Sequence, residues 1–282
     1  MGISRGESPD PADIDRFLAE DVGLGDLTAA TLPKNLAASA TVITREPMVL
    51  CGSAWFDGVF ARLNSEVAIE WLHQEGDWVQ AGDILCRLQG PAHILMTGER
   101  TALNLLQTLS GTATLSKRYA DAVQGTTLKV LDTRKTLPGL RDAQKYAVKV
   151  GGCHNHRMGL YDGILIKENH IRAIGSITLA VEAARRLNQK VMIEVEVETL
   201  EELDEALSAG VSRILVDEFT PAMREEAVRR SRGLAELEVS GNVQIEDLSE
   251  IAQSGVDYVS IGSLTKHLRA VDLSMQVVIG AG

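Results

Sequence analysis

The sequence predicts an α/β protein in two parts: an N-terminal region of mixed helices and strands, then a reduced α/β barrel of six or seven strands. Three observations predict it. Short apolar runs recur at 128–132, 163–167, 191–197, 213–217, 236–240 and 258–262. Helical patterns alternate with them, which means parallel strands joined by right-handed crossovers. The stretch that holds them is about 145 residues long, too short for a full eightfold barrel of about 250.

Composition narrows the function class. The 282 residues are 45% hydrophobic, with mean hydropathy near zero, enough to bury a sizeable core. Aromatics make up 4%, which disfavours stacking platforms for single-stranded nucleic acid, and the net charge of −11 disfavours generic nucleic-acid or anionic-membrane binding. Cys51, Cys86 and Cys153 form no CxxC pair, so neither a disulfide framework nor a zinc site is expected. The N-terminus has no apolar targeting core and no 18-residue apolar run occurs, so a cytoplasmic protein is expected.

In chain order, the first dozen residues are polar and expected to fray. Residues 11–21 read as a helix, with Ile14, Phe17, Leu18 and Val22 at helical spacing, and 23–28 as a turn. Strands are expected at 38–50 and 66–72, with a helix over 53–63 between them. The stretch 73–92 has two Gly-Asp turns between short strands, as in biotinyl and lipoyl carriers, but no lysine for attachment, so it reads as scaffold. A long helix is expected over 92–122, with Gly111 as a break and Glu99, Arg100 and Asn104 on a polar line. The domain boundary falls near 108–125. Helices follow at 141–150, whose Arg141, Lys145 and Lys149 read as a solvated face, and at 199–209, 220–231 and 244–254. Thr199 and Glu202 suggest a capping box, with Gly210 just past that helix.

The ends of the six strands carry the chemistry. In order they are Asp132-Thr133-Arg134-Lys135, Lys167, Glu196, Asp217, Ser240-Gly241-Asn242 and Gly262-Ser263. In α/β barrels that rim is where ligands bind, and turn chemistry alone explains only one or two such ends. From Lys129 to Arg172 there are nine Lys/Arg against four Asp/Glu, a local excess of cations inside an acidic protein. Arg134, Lys135, His156, Arg157 and Lys167 therefore suggest an anion site, arginines suiting carboxylates through their paired donors. Glu196 and Asp217 have the hardness for Mg²⁺ on a pyrophosphate. Ser240-Gly241-Asn242 and Gly262-Ser263 offer backbone amides to a phosphate. His154 and His156 are a poor metal pair, His170 reads equally as a turn brace, and at least one of Glu194, Glu196 and Glu198, which continue one strand face, is expected to pair with a cation inside the barrel.

The run TRKTLPGLRDAQKYAVKVGGCHNHRMGLYDGILIKENHI resembles the quinolinate phosphoribosyltransferase motif. EDVGLGDLTA, GERTALNLLQTLSGTAT, EVEVETLEELDEA, EVSGNV and GVDYVSIGSLTKH follow that family's order. The resemblance covers about residues 14 to 275, is of the bacterial type, and departs at Cys153, where the family commonly has a third glycine, and around REPMVLCG. It implies an N-terminal α/β sandwich over 1–115 and an incomplete barrel over 116–271, with 272–282 as a candidate return to the sandwich.

The implied activity is phosphoribosyl transfer from phosphoribosyl pyrophosphate (PRPP) to quinolinate with decarboxylation, for NAD synthesis. The resemblance implies Arg100 from a partner subunit, Arg134, His156 and Arg157 as the dicarboxylate clamp, flanked by Thr133 and Lys135, with Lys167 near both substrates. It implies Glu196 and Asp217 at the PRPP ribose and its Mg²⁺, and Ser240, Gly241, Asn242, Ile261, Gly262 and Ser263 as 5′-phosphate loops. Lys135, Lys167, Glu196 and Asp217 are the expected catalytic set. A homodimer or dimer-based hexamer is implied. The alternatives are a related transferase acting on nicotinate or serving a metal-cofactor operon, and a non-catalytic binding or carrier module.

Overall fold

The computed structural model describes residues 8–187 and 190–280; the residues 1–7, expected to fray, lie outside that range. The chain divides into two compact units. Met1–Lys117, Leu137–Gly152 and His267–Gly282 form the first, and Arg118–Thr136 with Cys153–Lys266 the second.

The first unit is built on a four-stranded antiparallel sheet in the order Leu273–Ile279, Ala37–Thr44, Ile84–Pro91, Ala68–Trp71. Ala38, Ala40, Val42 and Thr44 alternate onto its buried face, the period of two a half-covered strand requires. The strand expected over 38–50 is interrupted at 45–47. Pro47 has no N–H to give a ladder, and pairing resumes only as Met48–Val49 against Trp78–Val79. The carboxylates of Asp77 and Asp83 close the two Gly-Asp turns by accepting the N–H of Gln74 and Gln80 at 2.7 and 2.8 Å. Phe56, Phe60, Leu88, Leu95 and Leu106 fill the core behind this sheet.

Three expectations fail in this unit for packing reasons. The helix Ala92–Ala122 runs through Gly111 without a break. A Cβ at Gly111 would lie 2.3 Å from the Arg269 carbonyl oxygen, so the glycine serves close backbone approach and not a helix end. The helix Arg141–Val150, expected within the barrel domain, packs in the first unit: Ala143 and Ala147 join its core, and the Tyr146 ring sits 5.3 Å from that of Trp55. Lys145, expected on a solvated face, is fully buried.

The second unit holds a six-stranded parallel sheet in the order Lys129–Leu131, Tyr258–Ser260, Glu236–Ser240, Arg213–Asp217, Met192–Val197, Gly163–Ile166. His154 adds a one-residue parallel bridge to Leu131, a rudimentary seventh position. Val195, Val197, Ile214, Val216, Val239 and Val259 are buried, as expected for parallel strands covered on both faces. Helix starts are fixed locally. Thr199 Oγ1 accepts the Glu202 N–H at 3.2 Å while the Glu202 carboxylate reaches the Glu198 N–H at 2.7 Å. Thr220 caps the helix Pro221–Ser231 through the Met223 N–H at 3.3 Å.

Candidate active site

The segment after Gly152 is laid against the strand Lys129–Leu131 by backbone and carboxylate together. His154 N–H donates to the Val130 carbonyl at 2.8 Å and Asp132 N–H to the His154 carbonyl at 3.0 Å. The buried Asp132 carboxylate accepts the His156 N–H at 2.9 Å and the Asn155 amide at 2.6 Å. This places Arg157 beside the end of the strand that delivers Arg134. Cys153, the small-residue departure, is a buried thiol pushed up to about 12 by burial and then by Asp132, so it has no thiolate chemistry at neutral pH.

Arg134 and Arg157 are neighbours. Burial first, and the positive charge of Arg134 second, hold the Arg157 guanidinium below its usual range, against Glu194 and Asp162. Arg157 Nη1 donates to the Gly163 carbonyl at 3.0 Å. Asp162 shapes the loop between them by accepting the Met158 and Gly159 N–H groups at 2.8 and 2.9 Å. The Arg134 Nε–H is buried with no hydrogen-bond partner. Two close guanidiniums, one with an unmet donor, are costly unless an anion joins them.

The strand register sets the next layer. Glu194 pairs with Arg213 and Glu196 with Leu215, so Glu194, Glu196, Arg213 and Asp217 share one face. Glu196 pairs with Lys167, which stands one residue beyond its strand and also starts the helix Glu168–Ile174. His170 braces that start, its Nδ1 accepting the Lys167 N–H at 3.0 Å. The Glu196 carboxyl lies above its usual range, from burial first and then the Asp217 and Glu168 charges, while Lys167 opposes.

Lys135 lies across Gly262, where a Cβ would meet its Cδ at 3.0 Å and Thr133 Oγ1 at 3.7 Å. Thr133 Oγ1 accepts the Lys135 N–H at 3.1 Å and Thr265 Oγ1 holds the Lys135 carbonyl at 2.9 Å. The Ile261 N–H donates to the Leu131 carbonyl at 2.8 Å, and Ser263 Oγ lies 3.3 Å from the Tyr119 hydroxyl. Ser240, Gly241 and Asn242 line a cavity of about 190 Å³ with Glu218 and Arg224. Glu218 is the one non-glycine residue with positive φ, +55°, among the described residues, and its carboxylate oxygen lies 3.2 Å from where a Gly241 Cβ would be. Backbone strain of this kind collects at functional sites.

Sequence reasoning missed Arg213 and Glu238. Arg213 bridges two fully buried carboxylates, Nε to Glu194 at 3.3 Å and Nη2 to Glu238 at 2.6 Å, with its guanidinium 3.7 Å above the Tyr258 ring. His156 Nε2 lies 2.9 Å from Glu194 and 3.6 Å from Glu238. The expected barrel cation for Glu194 is thus Arg213. Burial opposes a charge on His156, and the two carboxylates outweigh it and raise its pKa. Yet Nδ1 accepts the Arg157 N–H at 2.7 Å, so that nitrogen carries no proton and the ring holds one, on Nε2. The charges then balance without an imidazolium. Glu194 is held below its usual range by His156 and Arg213 against burial, while Glu238 is pushed up to about 7 by burial and Glu194. His156, Glu194 and Glu238 are close enough to hold a metal ion, but Arg213 already occupies both carboxylates.

Residues 26–110 match the N-terminal domain and residues 112–276 the C-terminal domain of quinolinate phosphoribosyl transferase. The chain belongs to the quinolinate phosphoribosyl transferase family. A probable nicotinate-nucleotide pyrophosphorylase [carboxylating] of Bacillus subtilis is 39% identical over 94% of this chain and 92% of its own. The nicotinate-nucleotide pyrophosphorylase [carboxylating] of Mycobacterium leprae is 40% identical over 94% and 95%. The solved nicotinate-nucleotide pyrophosphorylase of Francisella tularensis superposes with a TM-score of 0.93 at 41% identity, covering 98% of this chain and all of that one. The family's clamp residue expected on the first unit, Arg100, is exposed on the helix Ala92–Ala122 and pairs loosely with Glu99 at 3.9 Å.

Proposed function

We infer that this chain transfers the phosphoribosyl group of PRPP to quinolinate with loss of CO₂, giving nicotinate mononucleotide and pyrophosphate for NAD synthesis. The observation that carries this reading, beside family membership, is the Arg134–Arg157 pair with its unmet Nε–H. A dicarboxylate supplies two charges where two guanidiniums repel. A monocarboxylate leaves one of them unanswered. The nicotinate alternative is therefore disfavoured, and so is a carrier module.

Arg134 and Arg157 hold the two carboxylates and orient the pyridine nitrogen toward ribose C1. The nitrogen's lone pair forms the new N–C1 bond as the C1–O bond to pyrophosphate breaks through an oxocarbenium-like transition state. Glu196 stabilises the cationic ribose, and Lys167 keeps that carboxylate ionised against burial. Lys135, beside Gly262 and Ser263, takes up charge on the departing pyrophosphate, with Thr133 setting its backbone. The alkylated ring is then cationic. The bond from C2 to its carboxylate breaks, the electron pair stays on C2, and a proton replaces CO₂. Ser240, Gly241, Asn242, Ile261, Gly262 and Ser263 are assigned to the PRPP phosphates.

Glu196 and Asp217 suit Mg²⁺: two hard carboxylates share one face, and the charge of Asp217 is felt at Glu196. When bound, the ion neutralises the pyrophosphate. The chain is assigned to the cytoplasm, consistent with the lack of any described helix long and apolar enough to cross a membrane. It works as a homodimer or a dimer-based hexamer in which Arg100 reaches the partner's clamp.

The test is to incubate the protein with quinolinate, PRPP and Mg²⁺. Nicotinate mononucleotide, CO₂ and pyrophosphate should form in equal amounts. Chelation should stop turnover without changing the circular dichroism. Full activity in excess chelator would remove the metal assignment, and absence of product in the complete mixture would remove the whole reading.

A further inference from the structure

His156 stands in the cationic wall, yet its Nδ1 is hydrogen-bonded within the protein and its Nε2 is buried beside two carboxylates. Nδ1 accepts the Arg157 N–H at 2.7 Å, and Nε2 faces Glu194 at 2.9 Å and Glu238 at 3.6 Å. Its own N–H is held by Asp132 at 2.9 Å, and its side chain is 8% exposed. We propose that Glu194 and Glu238, cross-linked by Arg213, are positioning residues that act through His156 to set Arg157 in the clamp, and that His156 does not itself hydrogen-bond the substrate.

The contacts form one continuous chain. Three neighbouring strands each supply one member: Glu194 from Met192–Val197, Arg213 from Arg213–Asp217 and Glu238 from Glu236–Ser240. Arg213 touches both carboxylates and is backed by the Tyr258 ring, so the set is fixed across the sheet. The imidazole docks on that fixed edge by Nε2 and passes the constraint through Nδ1 to the Arg157 backbone. The far end of Arg157 is tied to the Gly163 carbonyl. Arg157 is thereby held at both ends, which a clamp for a rigid planar acid requires, because small displacements forfeit paired donors. Were His156 to turn toward an anion, it would abandon a fully buried carboxylate and the Arg157 N–H together.

This rests on quinolinate docking at Arg134 and Arg157, and the experiment separates the two ideas. In the wild-type protein, ring ¹⁵N shifts, with the His156 signal assigned by its loss in His156→Asn, should report a neutral ring protonated on Nε2. Saturating quinolinate should leave it so. An imidazolium, or an Nε2 proton that shifts to a new acceptor on binding, would overturn the proposal without any variant having to fold.

In kinetics, Glu194→Gln should raise the quinolinate KM about tenfold and leave the PRPP KM within about twofold. Adding it to His156→Asn should cost no more than His156→Asn alone, because both act along one path. Equal rises for both substrates, no rise, or independent multiplied losses would refute the positioning role. Glu238→Ala provides the same reading should Glu194→Gln fail to fold. Arg157→Ala is the control. If it leaves the quinolinate KM unchanged, the clamp assignment itself has failed. If it raises that KM while the Glu194 and Glu238 variants do not, only the positioning role has failed.

Discussion

The Glu238 carboxyl is pushed up to about 7, chiefly by burial and then by Glu194, against the pull of Arg213. The sign matters for stability. Between the usual carboxylate range and about 7 the folded chain keeps a proton on Glu238 that the unfolded chain has released. This group therefore favours folding at the acid end, and its contribution falls as pH rises toward about 7. Glu238→Gln removes that dependence and keeps a donor–acceptor of the same shape beside Arg213. The Tm of the variant relative to the wild type should climb between about pH 5 and about pH 8. A flat or falling difference would contradict the buried, protonated state. At the same scale, Arg134, Lys167 and Glu196 were legible because an apolar run ends and a polar side chain follows. Glu238 was not, because the sequence says that a glutamate sits in a strand but not which cation lies across the sheet from it.

Among the elements, the long helix Ala92–Ala122 shows where local propensity is overruled. Gly111 has the worst propensity short of proline and reads as a break, yet the helix is continuous. On propensity alone Gly111→Ala gains about 1 kcal/mol. A Cβ 2.3 Å from the Arg269 carbonyl oxygen must displace backbone, and such overpacking costs roughly 1–3 kcal/mol. Gly111→Ala should be destabilising on balance, read as a lower denaturant midpoint with an unchanged slope; a stabilised variant would contradict the close approach. The barrel strands were legible for the opposite reason, since each is a short apolar run whose burial period and following cap agree. The helix Arg141–Val150 was half legible. Its span was read from the sequence, but a helical pattern cannot say which core covers it, and Lys145 is fully buried where the sequence suggested solvent. The helix Glu168–Ile174 was hidden because Lys167 serves at once as a rim residue and as the residue that starts it.

For the whole molecule, the proposal that Arg100 completes a partner's clamp is tested by mixing. Among the described residues Arg100 has only a loose exposed pairing with Glu99 at 3.9 Å, the kind worth little to stability. Arg100→Ala and Lys167→Ala should each be nearly inactive. Subunit exchange between them should restore up to about a quarter of wild-type activity, because half the dimers are then mixed and each has one intact site. No recovery, with exchange confirmed by mass, would place Arg100 outside the partner's site. The central claim is that this molecule is built to bind a dicarboxylate beside a phosphoribosyl donor, and substrate competition addresses it most directly. Quinolinate and nicotinate are each varied against saturating PRPP and Mg²⁺, and kcat/KM is compared for the two acids. The Arg134–Arg157 pair predicts that quinolinate is preferred by on the order of a hundredfold or more, since nicotinate leaves a half-buried guanidinium unanswered. Comparable kcat/KM for the two acids would contradict it.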